Sequence, residues 1–131
     1  MVRILLVDDS EFMRTYIRMV LTKAGHEIVG EATDGLECIS MYESFRPDLV
    51  LLDHLMPKLR GIETLQHILA IDPHALVIMV SADGQRSQVD NAATHGASGF
   101  IVKPFKRATF LNEIQRVLER DRHDPFNILQ V

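Results

Sequence analysis

Five short apolar runs, Ile4 to Val7, Ile28 to Gly30, Leu49 to Leu52, Leu76 to Val80 and Phe100 to Val102, alternate with segments of helical period, and this alternation leaves few folds open. The order is βαβαβαβαβα. Several runs are apolar at every position rather than at every second one, as expected for strands of a parallel sheet covered on both faces by helices. The expected fold is therefore α/β, a doubly wound parallel sheet of five strands.

Caps and stops place the helices. Ser10 precedes Glu11 and opens a helix with Met13, Ile17, Val20 and Leu21 on one face, stopped by Gly25. A second, about Gly35 to Ser44, carries Leu36, Ile39, Met41 and Tyr42, and Pro47 fixes the entry to the third strand. The third covers about Gly61 to Ile71 and ends at Asp72-Pro73. The fourth, about Gln85 to His95, has only a thin apolar stripe of Val89, Ala92 and Ala93, with Gly96 as its stop. The fifth, about Arg107 to Arg120, carries Phe110, Leu111, Ile114, Val117 and Leu118. Residues 1–120 thus read as one domain, and 121–131 as a C-terminal tail that either frays or docks.

Composition narrows the class. At 131 residues, 47% hydrophobic and 24% charged, the chain suits one folded domain rather than a disordered or membrane-spanning one. A formal net charge of −4 without a Lys/Arg run argues against a nucleic-acid surface. The N-terminus lacks a long apolar segment with a cleavage site, and no stretch reaches the ~18 apolar residues of a membrane helix. With a single cysteine, Cys38, an intramolecular disulfide is excluded, and a cytoplasmic location is expected. Cys38 sits beside Leu36 and Ile39 and reads as a small core residue.

Ligands of doubly wound sheets bind beyond the carboxyl ends of the strands, where the strand order reverses. The first strand runs into Asp8-Asp9, the third into Asp53, the fourth into Ser81 and the fifth into Lys103, while the second ends in Glu31-Ala32-Thr33 with Glu31 as its only charge. If the order is 2-1-3-4-5, Asp8, Asp9 and Asp53 meet in one crevice. Three carboxylates at one point repel unless a cation lies among them. Mg²⁺ suits an oxygen-only set, and zinc would want His or Cys. One carboxylate could then attack phosphorus, with a hydroxyl and an ammonium to hold the phosphoryl oxygens. Ser81 and Lys103 are those groups. Taken singly, Asp8-Asp9-Ser10 could cap a helix, Asp53 could serve a turn, Ser81 could cap the fourth helix and Lys103 could be a solvated strand end. Four such coincidences at four strand ends are the less economical account.

The segments Ile4-Leu-Leu-Val-Asp-Asp-Ser10, Leu51-Leu-Asp-His-Leu-Met-Pro57, Val80-Ser-Ala82 and Phe100-Ile-Val-Lys-Pro-Phe105 resemble the receiver domains of response regulators, over about Val2 to Arg120. The likeness is strongest to the free-standing chemotaxis type, because no output domain follows. It implies a flavodoxin-like (βα)5 fold of order 2-1-3-4-5 and a signalling switch that catalyses only its own phosphorylation and slow dephosphorylation. Asp53 would be the phosphoacceptor, and Asp8, Asp9, Asp53 and the backbone carbonyl of Leu55 the Mg²⁺ site, with Asp8 acting through water. Ser81 and Lys103 would bind the phosphoryl group, Ser81 and Phe100 would switch, and the bond before Pro104 would be cis. A histidine kinase or phosphotransfer protein would donate. A target protein would read the face of the fourth helix, fifth strand and fifth helix, with Arg86, Val89, Asp90, Phe100 and Lys106 as candidates. Leu55, His54 and Arg60-Gly61 depart from the common pattern and bear on the lifetime of the phosphorylated state. The competing expectation is a Mg²⁺-dependent phosphatase or phosphotransferase with an aspartyl-phosphate intermediate, for which a second Asp close after Asp53 is missing. A third is a degenerate receiver that acts by contact alone, against which stands the full set of site residues.

Overall fold

The computed structural model describes residues 2–56 and 58–123. Pro57 of the third-strand motif and residues 124–131 of the expected tail lie outside the described residues. The elements follow one another as β1 (Arg3–Val7), α1 (Glu11–Lys23), β2 (Glu27–Ala32), α2 (Gly35–Phe45), β3 (Leu49–Asp53), α3 (Gly61–Ile71), β4 (Val77–Ser81), α4 (Arg86–Thr94), β5 (Gly99–Val102) and α5 (Arg107–His123). All four pairings are parallel, and the sheet order is β2-β1-β3-β4-β5.

The continuous apolar strands divide their side chains between two cores. Ile4, Leu6, Leu49, Leu51, Ile78, Val80 and Ile101 face α1 and α5, meeting Ile17, Val20, Leu21, Phe110, Ile114 and Val117. Leu5, Val7, Val50, Leu52, Val77 and Met79 face the other way, onto Cys38, Tyr42, Leu65, Ile68 and Ala92 of α2, α3 and α4. Because neighbouring strand residues point to opposite faces, covering both faces demands apolar residues at every position. Each large side chain so buried contributes roughly 1.5–3 kcal/mol. The strand ends are thereby held on a stiff platform.

Local chemistry starts the helices. Ser10 Oγ accepts from the Met13 amide at 3.2 Å, and Asp34 Oδ1 from the Glu37 amide at 2.8 Å, each filling an otherwise unpaired donor of a first turn. Neither Arg60 of α3 nor Gln85 of α4 caps through its side chain. α4 is the weakly held one, with Ala92 its single buried residue.

Four expectations need correction. Leu36 is 56% exposed, because the inward face of α2 is set by Gly35, Cys38 and Tyr42, and one further residue turns the side chain ~100° away. Ala93 of α4 is likewise exposed beside buried Ala92. β2 begins at Glu27, so Glu31 is not its only charged residue; as an edge strand it can wet one border. α5 continues past Arg120 to His123. Cys38 is buried without any exposure, and burial pushes its thiol up to about 12, in keeping with a core residue. No helix among the described residues is long and apolar enough to cross a membrane.

Candidate functional site

β1 and β3 lie side by side in the middle of the sheet, so the residues that follow or finish them, Asp8, Asp9 and Asp53, share one end. One carboxylate oxygen from each of the three lies within 4.8 Å of the others. Asp8 and Asp53 are only 4% and 6% exposed, whereas Asp9 is open to solvent. Asp8 is fixed through its main chain, its amide donating to Ala32 O at 3.0 Å and its carbonyl accepting from Arg14 Nη1 at 2.7 Å. Its Oδ1 accepts from the Ser10 amide at 2.9 Å. Ser10 is thus the cap of α1, which leaves the acids free for other work.

Lys103 enters from the far side. Its Nζ stands 2.9 Å from Asp8 Oδ2 and 3.2 Å from Asp53 Oδ1, and its side chain is 18% exposed, so it is no solvated strand end. Burial by itself would lower the ammonium's pKa, but the hydrogen bond to Asp8 and the charges of Asp53 and Asp8 outweigh it and the value rises. Asp53 is pushed above the usual carboxylate range by burial first and by the Asp8 charge second, with Lys103 opposing. The two shifts are compatible: one ammonium contacts two of three clustered carboxylates, so it is fully engaged while the cluster remains under-neutralised.

Ser81 closes the row. It is the last residue of β4, buried, paired in register with Val102, and its carbonyl accepts from the Lys103 amide at 2.8 Å. Its Oγ accepts from the Asp83 amide at 3.1 Å, and a serine hydroxyl in that role still has its proton to donate. Since Gln85 is the residue before α4, Ser81 is not its cap. The Lys103-Pro104 peptide is cis. Leu55 projects into solvent beside the site, and His54 is half-buried.

Sequence reasoning named Gly61 only as a helix start and part of a departure from pattern, without its packing role, and overlooked Arg14 and Glu113. A Cβ on Gly61 would stand 2.8 Å from Asp53 O and 2.9 Å from His54 Cα, so α3 can start against the back of the site only with glycine there. The place of Gly61 behind the Asp53 turn, as the first residue of α3, could have flagged it. Arg14 is paired with Glu31 of β2, as is Arg18. Nothing local marks either Arg14 or Glu113.

The face of α4, β5 and α5 holds Phe100, half-buried against the second core, and a cleft of about 310 Å³ bounded by Val89, Ala92, Phe100, Glu113 and Arg116. Arg86 and Asp90 form an exposed pair at 3.6 Å, Val89 is half-buried, and Lys106 is exposed.

The chain and its fold have counterparts in known proteins. The family described as response regulator receiver domain matches residues 4–115. The chain is 43% identical over 115 residues to a chemotaxis protein CheY of Thermotoga maritima, covering 88% of this chain and 96% of that protein. With a CheY of Bacillus subtilis the identity is 46% over 116 residues, 88% of this chain and 97% of that one. A crystal structure of the CheX–CheY–BeF3–Mg²⁺ complex from Borrelia burgdorferi superposes with a TM-score of 0.87 at 38% identity, covering 89% of each chain. These matches lend no support to the phosphatase alternative. With a doubly wound sheet of matching order and an aspartate cluster at its carboxyl end, the chain belongs to the response regulator receiver domain family.

Proposed function

We propose that this receiver is a phosphorylation-driven switch whose acceptor is Asp53, and the observation that carries the reading is the meeting of Lys103 with both Asp8 and Asp53. A carboxylate oxygen of Asp53 would attack the phosphorus of a phosphohistidine on a histidine kinase or phosphotransfer protein. The O–P bond forms as the P–N bond breaks, and the departing electron pair stays on the imidazole, which takes up a proton. Lys103 would hold a phosphoryl oxygen by charge and the Ser81 hydroxyl would do so by hydrogen bonding. The near-complete burial of Asp8 and Asp53 keeps water from weakening those contacts.

The donor set suits Mg²⁺: three hard carboxylates, under-neutralised by one ammonium, with no His or Cys among them. Asp8, Asp9, Asp53 and the main-chain carbonyl of Leu55 would hold it, and when bound it would supply positive charge to the carboxylates and to phosphoryl oxygens. Catalysis would be confined to the chain's own labelling and slow dephosphorylation. The domain would run to the end of α5 at His123 rather than stop at Arg120.

Output would pass through contact with a protein target at the α4, β5, α5 face, by a turn of Ser81 towards the phosphate and movement of Phe100. The names of its relatives favour a place in chemotaxis, and the Borrelia CheY complex with CheX illustrates the kind of partner such a receiver meets. A cytoplasmic setting accords with those relatives. The test is mass spectrometry of the whole chain with Mg²⁺ and acetyl phosphate. One phosphoryl group per chain, on Asp53 and dependent on metal, is expected; label on another residue, or many turnovers on a foreign phosphate ester, would overturn the reading.

A further inference from the structure

β5 is an edge strand, so one side of its backbone meets no further strand among the described residues. The amide of Lys103, the residue just after it, donates inward to Ser81, and by the two-residue alternation of a strand the amides of Phe100 and Val102 point outward. An outward row of donors and acceptors invites another chain to add itself. Here α5 lies along that edge. Glu113 Oε2 accepts from the Phe100 amide at 3.0 Å, and Arg116 Nη2 reaches the Ser98 carbonyl at 3.3 Å. The two side chains are locked together, Arg116 Nε to Glu113 Oε1 at 2.7 Å and Nη2 to Oε2 at 2.9 Å. Gly99 makes room, since a Cβ there would meet Glu113 Oε2 at 2.7 Å. An acceptor opposite an amide and a donor opposite a carbonyl are what a neighbouring strand would offer.

We infer that Glu113, aimed by Arg116, acts as a built-in strand partner that closes the β5 edge and fixes the main chain at Phe100, so that switching at this position is confined to the side chain and to the wall made by α4. Glu113 is a positioning residue: it touches none of the phosphoryl-binding groups and acts on Phe100 through its amide. It also forms part of the wall of the cleft beside Phe100, opposite the small residues Ala92 and Ala93 of α4. The hydrogen bonds from Arg116 hold its carboxyl below the usual range, with the Phe100 amide adding to them, so the acceptor is ionised at neutral pH. The switching part of the inference rests on the receiver reading above, while the closing of the edge does not.

Residue-resolved amide exchange on the full chain separates the two. In the metal-free protein the Phe100 amide should be protected like the ladder amides of β4. Glu113→Ala should speed its exchange by about tenfold or more while β1 and β3 stay unchanged, and Glu113→Gln, which keeps an acceptor, should restore most of the protection. Arg116→Ala should fall between. Equal protection of Phe100 in Glu113→Ala, or loss spread over the whole sheet, would overturn the inference. Adding beryllofluoride and Mg²⁺ should leave the Phe100 amide protected in the wild-type chain, and its release would contradict the fixed main chain. A mimic that does not bind at all would sink the receiver reading and leave the edge closure standing. Self-labelling from acetyl phosphate should be unaltered in Glu113→Ala; a fall would make Glu113 a general support of the fold and refute its specific role.

Discussion

Two clusters of opposite charges flank β5, and they are built on opposite accounts of charge. At its carboxyl end Lys103 faces Asp8 and Asp53, with Asp9 close by, three acids to one base, and all but Asp9 are largely shut off from water. Along its edge Glu113 faces Arg116, one acid to one base, half open to water, with Glu113 further bonded to the backbone of β5 and Arg116 to that of Ser98 just before it. The balanced pair is complete as it stands. The unbalanced one stores repulsion that an added cation would relieve, and a site of that kind costs stability until it is loaded. Surplus like charge in a buried place therefore marks a binding centre, whereas a matched pair on a surface marks a staple.

The largest expected contrast is in chemistry. Asp53→Asn should abolish phosphoryl uptake and also raise the melting temperature of the metal-free chain, because it removes one buried charge from the crowded side. A melting temperature that drops instead would show the acids to be structural. Glu113→Ala should leave uptake intact and lower the melting temperature.

Next in size come the glycines behind each cluster. Gly61→Ala drives a methyl group against the backbone of Asp53 and His54, which cannot swing away, and should cost roughly 1–3 kcal/mol in denaturant unfolding and slow Asp53 labelling. Gly99→Ala presses first on the tip of Glu113, a group that can move, and the smaller loss should leave labelling unchanged. Equal losses would mean that the two clusters are equally rigid.

The cations divide by role. Lys103→Ala should spare Mg²⁺ affinity but blunt the response to phosphorylation, and Asp9→Ala should abolish that affinity first; a metal titration reads both. Arg116→Ala, on a half-exposed pair, should change stability by only about 0–1 kcal/mol.

The smallest effects are the pH slopes, and they have opposite signs. Asp53 has a raised value in the folded chain, so its unfavourable contribution is complete above that value, shrinks as pH falls through it and is gone below the unfolded value of 3.8. Glu113 has a lowered value, so its favourable contribution is complete above the unfolded value of 4.5 and is lost as pH falls through the folded one. Unfolding followed from neutral to acid pH without metal should therefore lose a rise with Asp53→Asn and lose a fall with Glu113→Gln.

The amino-acid sequence by itself determined the alternation of elements, the caps at Ser10 and the stop at Gly25, and the identity of the polar residues at four strand ends. These are legible because strand and helix periods, turn chemistry and capping act over a few neighbouring residues. Even there the reading of α2 failed at Leu36, since hydrophobicity does not say which of several apolar residues will face the sheet. The comparison of clusters belongs to the tertiary structure. Lys103 meets Asp8 across 95 residues of chain and Asp53 across 50, and Phe100 gives its amide to Glu113 on the following helix. Parallel pairing requires a crossover between strands, so which carboxyl ends become neighbours depends on the order in which the strands pack. Short-range rules specify the pieces of the acid cluster and leave Glu113 unmarked; only the 2-1-3-4-5 packing crowds the acids around Lys103 and leaves β5 at the border, where Glu113 can close it.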